Sequence, residues 1–266
     1  MKAFNVFYRV CDKVNGVNGA RETGSKSDVI RLCFTSLVRA AKFFMRQNDT
    51  NLFHLNIVFD NTSDEMKQNI ENALQNENVP YKTFFSSNKG NVDSFKTCYL
   101  AAKEVSGYIL FLEDDYLLDA DCFDEMYAFL NLWSDDSHVC LKPHAETADY
   151  IRDLFGKDGK YFKREVLLSK GKYWVRITKS TCTFLIDDFI LKETEDLFEK
   201  TIAKTRLDET YLNQVFEKYP LFSPIPPMAD HFHTFGGCRP HFQGRKLVIG
   251  TRNTYRTSDL ENEGTL

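Results

Sequence analysis

Several common devices are missing from these 266 residues, and each absence removes a class of function. No apolar run approaches the ~20 residues that span a bilayer; the longest, such as residues 108–112, have the length of buried strands. Neither GxGxxG nor GxxxxGK[ST] occurs, so the dinucleotide fingerprint and the phosphate-cradling P-loop are both absent. A nucleotide, if one binds, needs another device for its phosphates. No CxxC pair joins any of the seven cysteines, Cys11, Cys33, Cys98, Cys122, Cys140, Cys182 and Cys238, which argues for reduced thiols in a reducing cytosol. An excess of positive charge is missing too: 34 Lys and Arg against 38 Asp and Glu leave a formal net charge of -4. Bulk binding to a polyanion therefore has no electrostatic basis, although a local basic patch stays open. The first residues run straight into a strand-like stretch without the charged head, apolar stretch and cleavage site of a signal peptide. The expectation is an unanchored protein of the cytoplasm, the host cytoplasm if the chain is viral. There is no internal repeat and no interdomain linker.

What is present is enough apolar material for a full core, 42% of the residues, with 23 Phe and 12 Tyr among them; one α/β domain of this size is common. Residues 3–10 read as a strand and give way to a turn-forming stretch. Over 27–47 the residues Ile30, Phe34, Leu37, Val38 and Ala41 recur at helical spacing, with Ser27 or Asp28 available as a cap. A strand over 52–59, a helix over 63–76, a strand over 79–85, a helix over 91–105 and a strand over 108–112 complete a repeating βα pattern. Such a pattern predicts a mainly parallel sheet. Ligands of such sheets bind beyond the carboxyl ends of the strands, here residues 9–13, 60–61, 86–91 and 113–116, where polar residues concentrate.

Beyond residue 116 the alternation loosens. Helices are expected over 121–132, 145–155, 187–204 and 208–218, and strands over 139–142, 181–186 and within 160–177; a Pro-rich run, 220–227, ends that block. Residues 251–266 lack any apolar period and read as a mobile tail.

Three consecutive acids, Glu113, Asp114 and Asp115, directly follow the fourth apolar strand, where an unpaired carboxylate would cost several kcal/mol of desolvation. A hard divalent cation, Mg²⁺ or Mn²⁺, is the economical counter-charge, because it takes one or two carboxylates and completes its shell with phosphate oxygens. That would also account for the missing glycine loop. The competing reading is an acid cluster capping the helix that begins near residue 121.

The run Phe111-Leu-Glu-Asp-Asp-Tyr-Leu-Leu-Asp119-Ala-Asp-Cys-Phe123 resembles the DxD region of GT-A glycosyltransferases, and is most similar to the Glu-Asp-Asp form of N-acetylglucosaminyltransferase I-type enzymes. The resemblance implies a GT-A fold over residues 1–250, with a nucleotide-binding half to about residue 118 and an acceptor-side half after it. It also implies a nucleotide-diphosphate sugar donor, most simply a UDP-sugar. By it, Asp115 would bind the metal, Asp114 would lie near the ribose or donor sugar, and Glu113 would orient the turn or contact the sugar.

Inverting transfer to a hydroxyl needs a general base within hydrogen-bond reach. Asp208 and Glu209 open a helix, where backbone N–H groups hold a carboxylate, and they resemble the Glu-Asp pair that begins the corresponding helix of many inverting GT-A enzymes. The order is swapped, so Glu209 is the first candidate for the base and Asp208 the reserve, with a helix cap the competing reading of both. Asp230-His231-Phe-His233 resembles the C-terminal histidine segment that supplies a further metal ligand in such enzymes. Its alternatives are surface histidines or a small zinc site completed by Cys238 and His241. Family likeness places the base and ribose against Arg9, Asp12 and Asp60, with Lys89 or Asn91 approaching from the third βα loop. Lys142, His144 and Trp174 are acceptor-side candidates, with core packing the favoured role of Trp174. The acceptor itself is expected to be a bacterial or viral glycan or a hydroxylated DNA base. Two rivals remain: a metal-dependent nucleotidyltransferase, and a binding module that keeps the fold without turnover.

Overall fold

The computed structural model describes residues 1–13, 25–87, 90–133, 138–144, 165–180, 183–204 and 209–232. The helix expected over 145–155, Lys89, Asp208, His233, the Cys238 and His241 positions and the tail from 251 lie outside the described residues.

The first half alternates: β1 (Phe4–Val10), α1 (Lys26–Gln47), β2 (Phe53–Phe59), α2 (Asp64–Asn76), β3 (Tyr81–Phe85), α3 (Asn91–Ala102) and β4 (Tyr108–Glu113). These strands pair in the order β3-β2-β1-β4, all parallel. Every residue of β1 is buried, as a strand covered on both faces must be, and successive side chains go to opposite layers. Phe4, Val6, Tyr8 and Val10 pack with α1 and α2, whereas Phe7 packs with α3. Gly107, at φ +99°, lets β4 start against β1; a Cβ there would stand 2.4 Å from the Ala3 carbonyl oxygen.

Helix α1 begins one residue earlier than its apolar period, because its cap is Ser25 and not Ser27 or Asp28. Asp28 forms the other half of a capping box, accepting from the Ser25 N–H at 3.0 Å. The inner face of α1 carries Ile30, Phe34, Leu37, Ala41 and Phe44, and each large apolar side chain so buried stabilises the fold by ~1.5–3 kcal/mol.

The second half comprises β5 (Tyr116–Leu118), α4 (Cys122–Trp133), β6 (Cys140–Leu141), β7 (Val166–Ser169), β8 (Lys172–Ile177), β9 (Phe184–Asp187), α5 (Asp188–Glu193), α6 (Glu195–Ile202), α7 (Glu209–Lys218), β10 (Leu221–Ile225) and β11 (Ala229–His231). It extends the sheet to nine strands, β3-β2-β1-β4-β9-β6-β10-β8-β7, with β9 antiparallel to β4. β5 and β11 form a separate two-stranded antiparallel sheet. The single helix expected over 187–204 is two: Asp187 ends β9 and caps α5, and the chain breaks at Thr194, whose hydroxyl donates to the Ile190 carbonyl at 2.7 Å. The Pro-rich run supplies β10, with Pro224 opposite Trp174. Among the described residues no helix is long and apolar enough to cross a membrane. The result is a mixed α/β fold, a mainly parallel first half flanked by helices and a small second sheet beside it.

Candidate functional site

After β1 the chain moves to β2 and β3 on one side, then crosses back to place β4 on the other. Between β1 and β4 the winding reverses, and a crevice opens beyond their carboxyl ends. A cavity of about 380 Å³ lies there, lined from the ends of β1, β2 and β4 and from the start of α3 by residues that include Arg9, Lys13, Asp60, Asn91 and Glu113 to Asp115. The register fixes this convergence, since Arg9 stands opposite Glu113 on one side and Val58 on the other.

Arg9 points into the layer of α3. Its Nη1 donates to the Asn91 carbonyl at 3.2 Å, to the Asn91 side-chain oxygen and to Ser94 Oγ at 3.4 Å, while Nη2 lies 2.9 Å from Glu113 Oε1. Asp60 accepts from the Gly90 N–H at 3.1 Å. Gly90 has φ +131° at the start of α3, a conformation that L side chains rarely adopt, so glycine fits this contact. Burial pushes the Asp60 carboxyl up, against the opposing pull of Gly90 and Arg9. The Cys11 thiol is pushed up to about 11 by burial and by Asp60 and Asp114; it is no thiolate nucleophile at neutral pH.

The three acids have three different partners. Glu113 faces Arg9. Asp114, buried, accepts from the Cys11 N–H at 2.8 Å and from the Lys26 ammonium. Asp115 Oδ1 lies 3.5 Å from His231 Nε2. Burial raises the carboxyl pKa of both Glu113 and Asp114, and Asp115 raises them further, even though Arg9 and Lys26 act the other way. Among the described residues, Arg9 faces Glu113, Lys26 faces Asp114 and His231 faces Asp115. The start of α4 is spanned by a backbone bond from Glu125 N–H to the Asp121 carbonyl at 2.9 Å.

His231 arrives on β11, which pairs with β5 so that His231 stands opposite Tyr116. One ligand atom from each of Glu113, Asp115 and His231 lies within 4.8 Å of the others. Donors in an octahedral shell at about 2.1 Å stand about 3 Å apart when adjacent and about 4.2 Å when opposite, so small side-chain rotations would bring this set to bonding distance. Two carboxylate oxygens and an imidazole suit Mn²⁺ or Mg²⁺, the nitrogen favouring Mn²⁺.

Other candidates fall elsewhere. Asp12 accepts from the Ser63 N–H at 2.8 Å and from its hydroxyl, bracing the start of α2, and is not among the cavity-lining residues. Trp174 does not face an acceptor: it is fully buried, with its ring centroid 4.5 Å from that of Phe129. His144 is 1% exposed, and its Nδ1 lies 2.8 Å from the Ala229 carbonyl oxygen. Lys142 is buried as well, its N–H donating to the Phe222 carbonyl at 2.9 Å. Glu209 is the first residue of α7. Two participants escaped the sequence reading. Lys26 gave no signal, being 88 positions from the Asp114 it pairs with. Tyr116 lay within the stretch 113–116 expected at the ligand edge, but nothing in the sequence gave its ring a role.

No protein-family model matches this sequence, and no curated protein does. Among solved structures, S. aureus TarS (residues 1–349) aligns with a TM-score of 0.51 at 13% identity, covering 90% of this chain and 59% of that one. GalNAc-T7, in a structure with UDP, GalNAc and Mn²⁺, aligns with a TM-score of 0.55 at 9% identity, covering 87% and 44%. The chain thus spans less than two thirds of either structure. At these identities the likeness is one of fold, and the fold is that of the GT-A glycosyltransferases.

Proposed function

We propose that this chain transfers a sugar from a nucleotide-diphosphate sugar, most simply a UDP-sugar, to an acceptor hydroxyl with inversion, and that it depends on Mn²⁺ or Mg²⁺. The observation that carries the reading is the convergence of Glu113, Asp115 and His231 beside a cavity at the winding reversal of a GT-A fold. GalNAc-T7, which shares that fold, has been captured with UDP and Mn²⁺.

In this reading Asp115 and His231 hold the cation, with Glu113 beside them balanced by Arg9. When bound, the cation neutralises the diphosphate and makes it a better leaving group. Asp60 and Asn91, on the cavity wall, face the nucleoside, and Lys26 lies at the same rim as Asp114. The acceptor oxygen attacks the anomeric carbon, the bond from that carbon to the β-phosphate oxygen breaks, and the nucleoside diphosphate leaves with the electron pair. The hydroxyl proton goes to a carboxylate at the start of α7, Glu209 or the adjacent Asp208. Residues up to about 118 form the nucleotide-binding half and those to about 250 the acceptor side. A glycan or a hydroxylated DNA base is the acceptor; phosphate contacts to DNA would show as a steep loss of activity with salt.

The test is nucleoside diphosphate release from a panel of nucleotide sugars with Mn²⁺ or Mg²⁺, with and without EDTA. Release from one donor that EDTA abolishes is the expected result. A protein that binds nucleotide with Mn²⁺ but consumes no donor is a binding module, and pyrophosphate release from a nucleoside triphosphate and a sugar phosphate would mark a nucleotidyltransferase.

A further inference from the structure

The terminal torsion of a histidine is broad and roughly two-fold, so a rotamer preference alone does not aim a ring nitrogen. His231 nevertheless has its Nε2 directed at Asp115. The Tyr116 ring lies flat against the His231 imidazole, with centroids 4.3 Å apart and planes 12° from parallel. Tyr116 is only 3% exposed, so it is a fixed wall and not a mobile cover. Backbone bonds clamp the two residues: Phe232 N–H donates to the Asp115 carbonyl and Asp119 N–H to the Met228 carbonyl, both at 2.9 Å. His144 lies against the edge of this stacked pair, its ring centroid 6.3 Å from that of Tyr116 and 6.4 Å from that of His231 and steeply inclined to both, with its Nδ1 2.8 Å from the Ala229 carbonyl oxygen.

We propose that Tyr116 is a positioning residue for the cation: its ring fixes the plane of the His231 imidazole so that Nε2 meets a metal held by Asp115. The inference rests on the metal reading above. Tyr116 immediately follows Asp115, and β5 pairs in register with β11, so one short ladder sets both ligands. Removing a partner that orients a metal ligand typically weakens the metal by about 10–100-fold. The ring and not the hydroxyl does the positioning, so Phe should serve as well as Tyr.

The experiment compares the wild-type chain with Tyr116→Leu and Tyr116→Phe. Mn²⁺ affinity is read by the electron-spin resonance of free Mn²⁺, the imidazole by nitrogen hyperfine coupling to bound Mn²⁺, and the fold by thermal unfolding in EDTA. Expected are an affinity about 10-fold weaker in Tyr116→Leu, with its nitrogen coupling lost or reduced, and wild-type behaviour in Tyr116→Phe. Unchanged affinity and coupling in a folded Tyr116→Leu overturn the role of Tyr116 and leave the metal site standing. A wild-type protein that binds no Mn²⁺, or binds it without nitrogen coupling, overturns both. Should the leucine variant fail to fold, Tyr116→Met, which fills the volume with a flexible chain, is read the same way.

Discussion

Charge is concentrated at both ends of β4, and the two clusters differ in a way that separates a structural brace from a site. At the amino end Asp187, opposite Tyr108 across the β9 pairing, has Lys2 at 3.1 Å, His138 at 2.6 Å and the Ile190 N–H at 2.9 Å. Burial would raise its carboxyl pKa, but the Ile190 N–H, His138 and Lys2 outweigh it and the net shift is downward. At the carboxyl end Arg9 faces Glu113 and Lys26 faces Asp114, yet burial together with the neighbouring acids drives Glu113 and Asp114 upward. Acid density alone does not distinguish the clusters. The direction of the shift does: the donors around Asp187 outweigh its burial, whereas at Glu113 and Asp114 burial and the neighbouring acids outweigh Arg9 and Lys26.

The largest contrast is between two single changes. Asp115→Asn should lower metal-dependent sugar transfer by at least about 10²-fold, the scale on which removing one electrostatic group from a preorganised site acts. It should not lower the unfolding temperature of the EDTA-treated protein, because the charge it removes is one that raises the carboxyl pKa of both Glu113 and Asp114. Asp187→Ala should do the reverse, costing about 1–2 kcal/mol in chemical denaturation for the lost α5 cap with transfer unchanged. If Asp187→Ala abolished transfer, or Asp115→Asn destabilised the metal-free fold comparably, the distinction would collapse.

A smaller effect lies in the opposite pH slopes. The lowered pKa of Asp187 gives stability that is present above its ordinary value of 3.8 and lost as pH falls through the depressed pKa. The raised pKa of Glu113 works the other way: in the metal-free protein stability is lost as pH rises from its ordinary value of 4.5 through the raised one. A cation must displace the proton that Glu113 retains, so Mn²⁺ affinity, measured by titration calorimetry, should rise by up to about tenfold per pH unit across that window and then level off. The same titration on Asp187→Ala should give the same curve.

How much of this was legible in the sequence follows from burial and contact range. β1, β2 and β4 are apolar runs covered on both faces, and Arg9 at the end of such a run, like the acids after β4, announces a ligand edge. Helices α1 and α2 have one buried face, so their period shows; only the cap of α1 was misread, because Ser25 precedes two other capping residues. The second half is harder. Its strands are two to six residues long, pair antiparallel or parallel with distant partners, and include the proline-bearing β10, for which no local period exists. His144 and Trp174 carry both apolar and polar character, and only the packing of β8, β10 and β11 decides that they face inward. The Lys26 to Asp114 pair is a product of tertiary approach alone.

The smallest expected effect is also the sharpest check on the charge balance, since it removes one lysine from each cluster. Lys2 is 42% exposed on its side chain, and its loss leaves Asp187 with His138 and the Ile190 N–H, so Lys2→Ala should cost no more than about 1 kcal/mol and less at high salt. Lys26 is 18% exposed and its partner 8%. Its loss leaves a buried Asp114 with the Cys11 N–H beside two other acids, so Lys26→Ala should cost more than Lys2→Ala in the metal-free protein, and the excess should widen as pH rises because the uncompensated form of Asp114 is the ionised one. Mn²⁺ should narrow the gap by supplying positive charge nearby. Equal costs for the two variants at every pH, with and without Mn²⁺, would mean that the carboxyl-end cluster is as well compensated as the amino-end one and needs no cation.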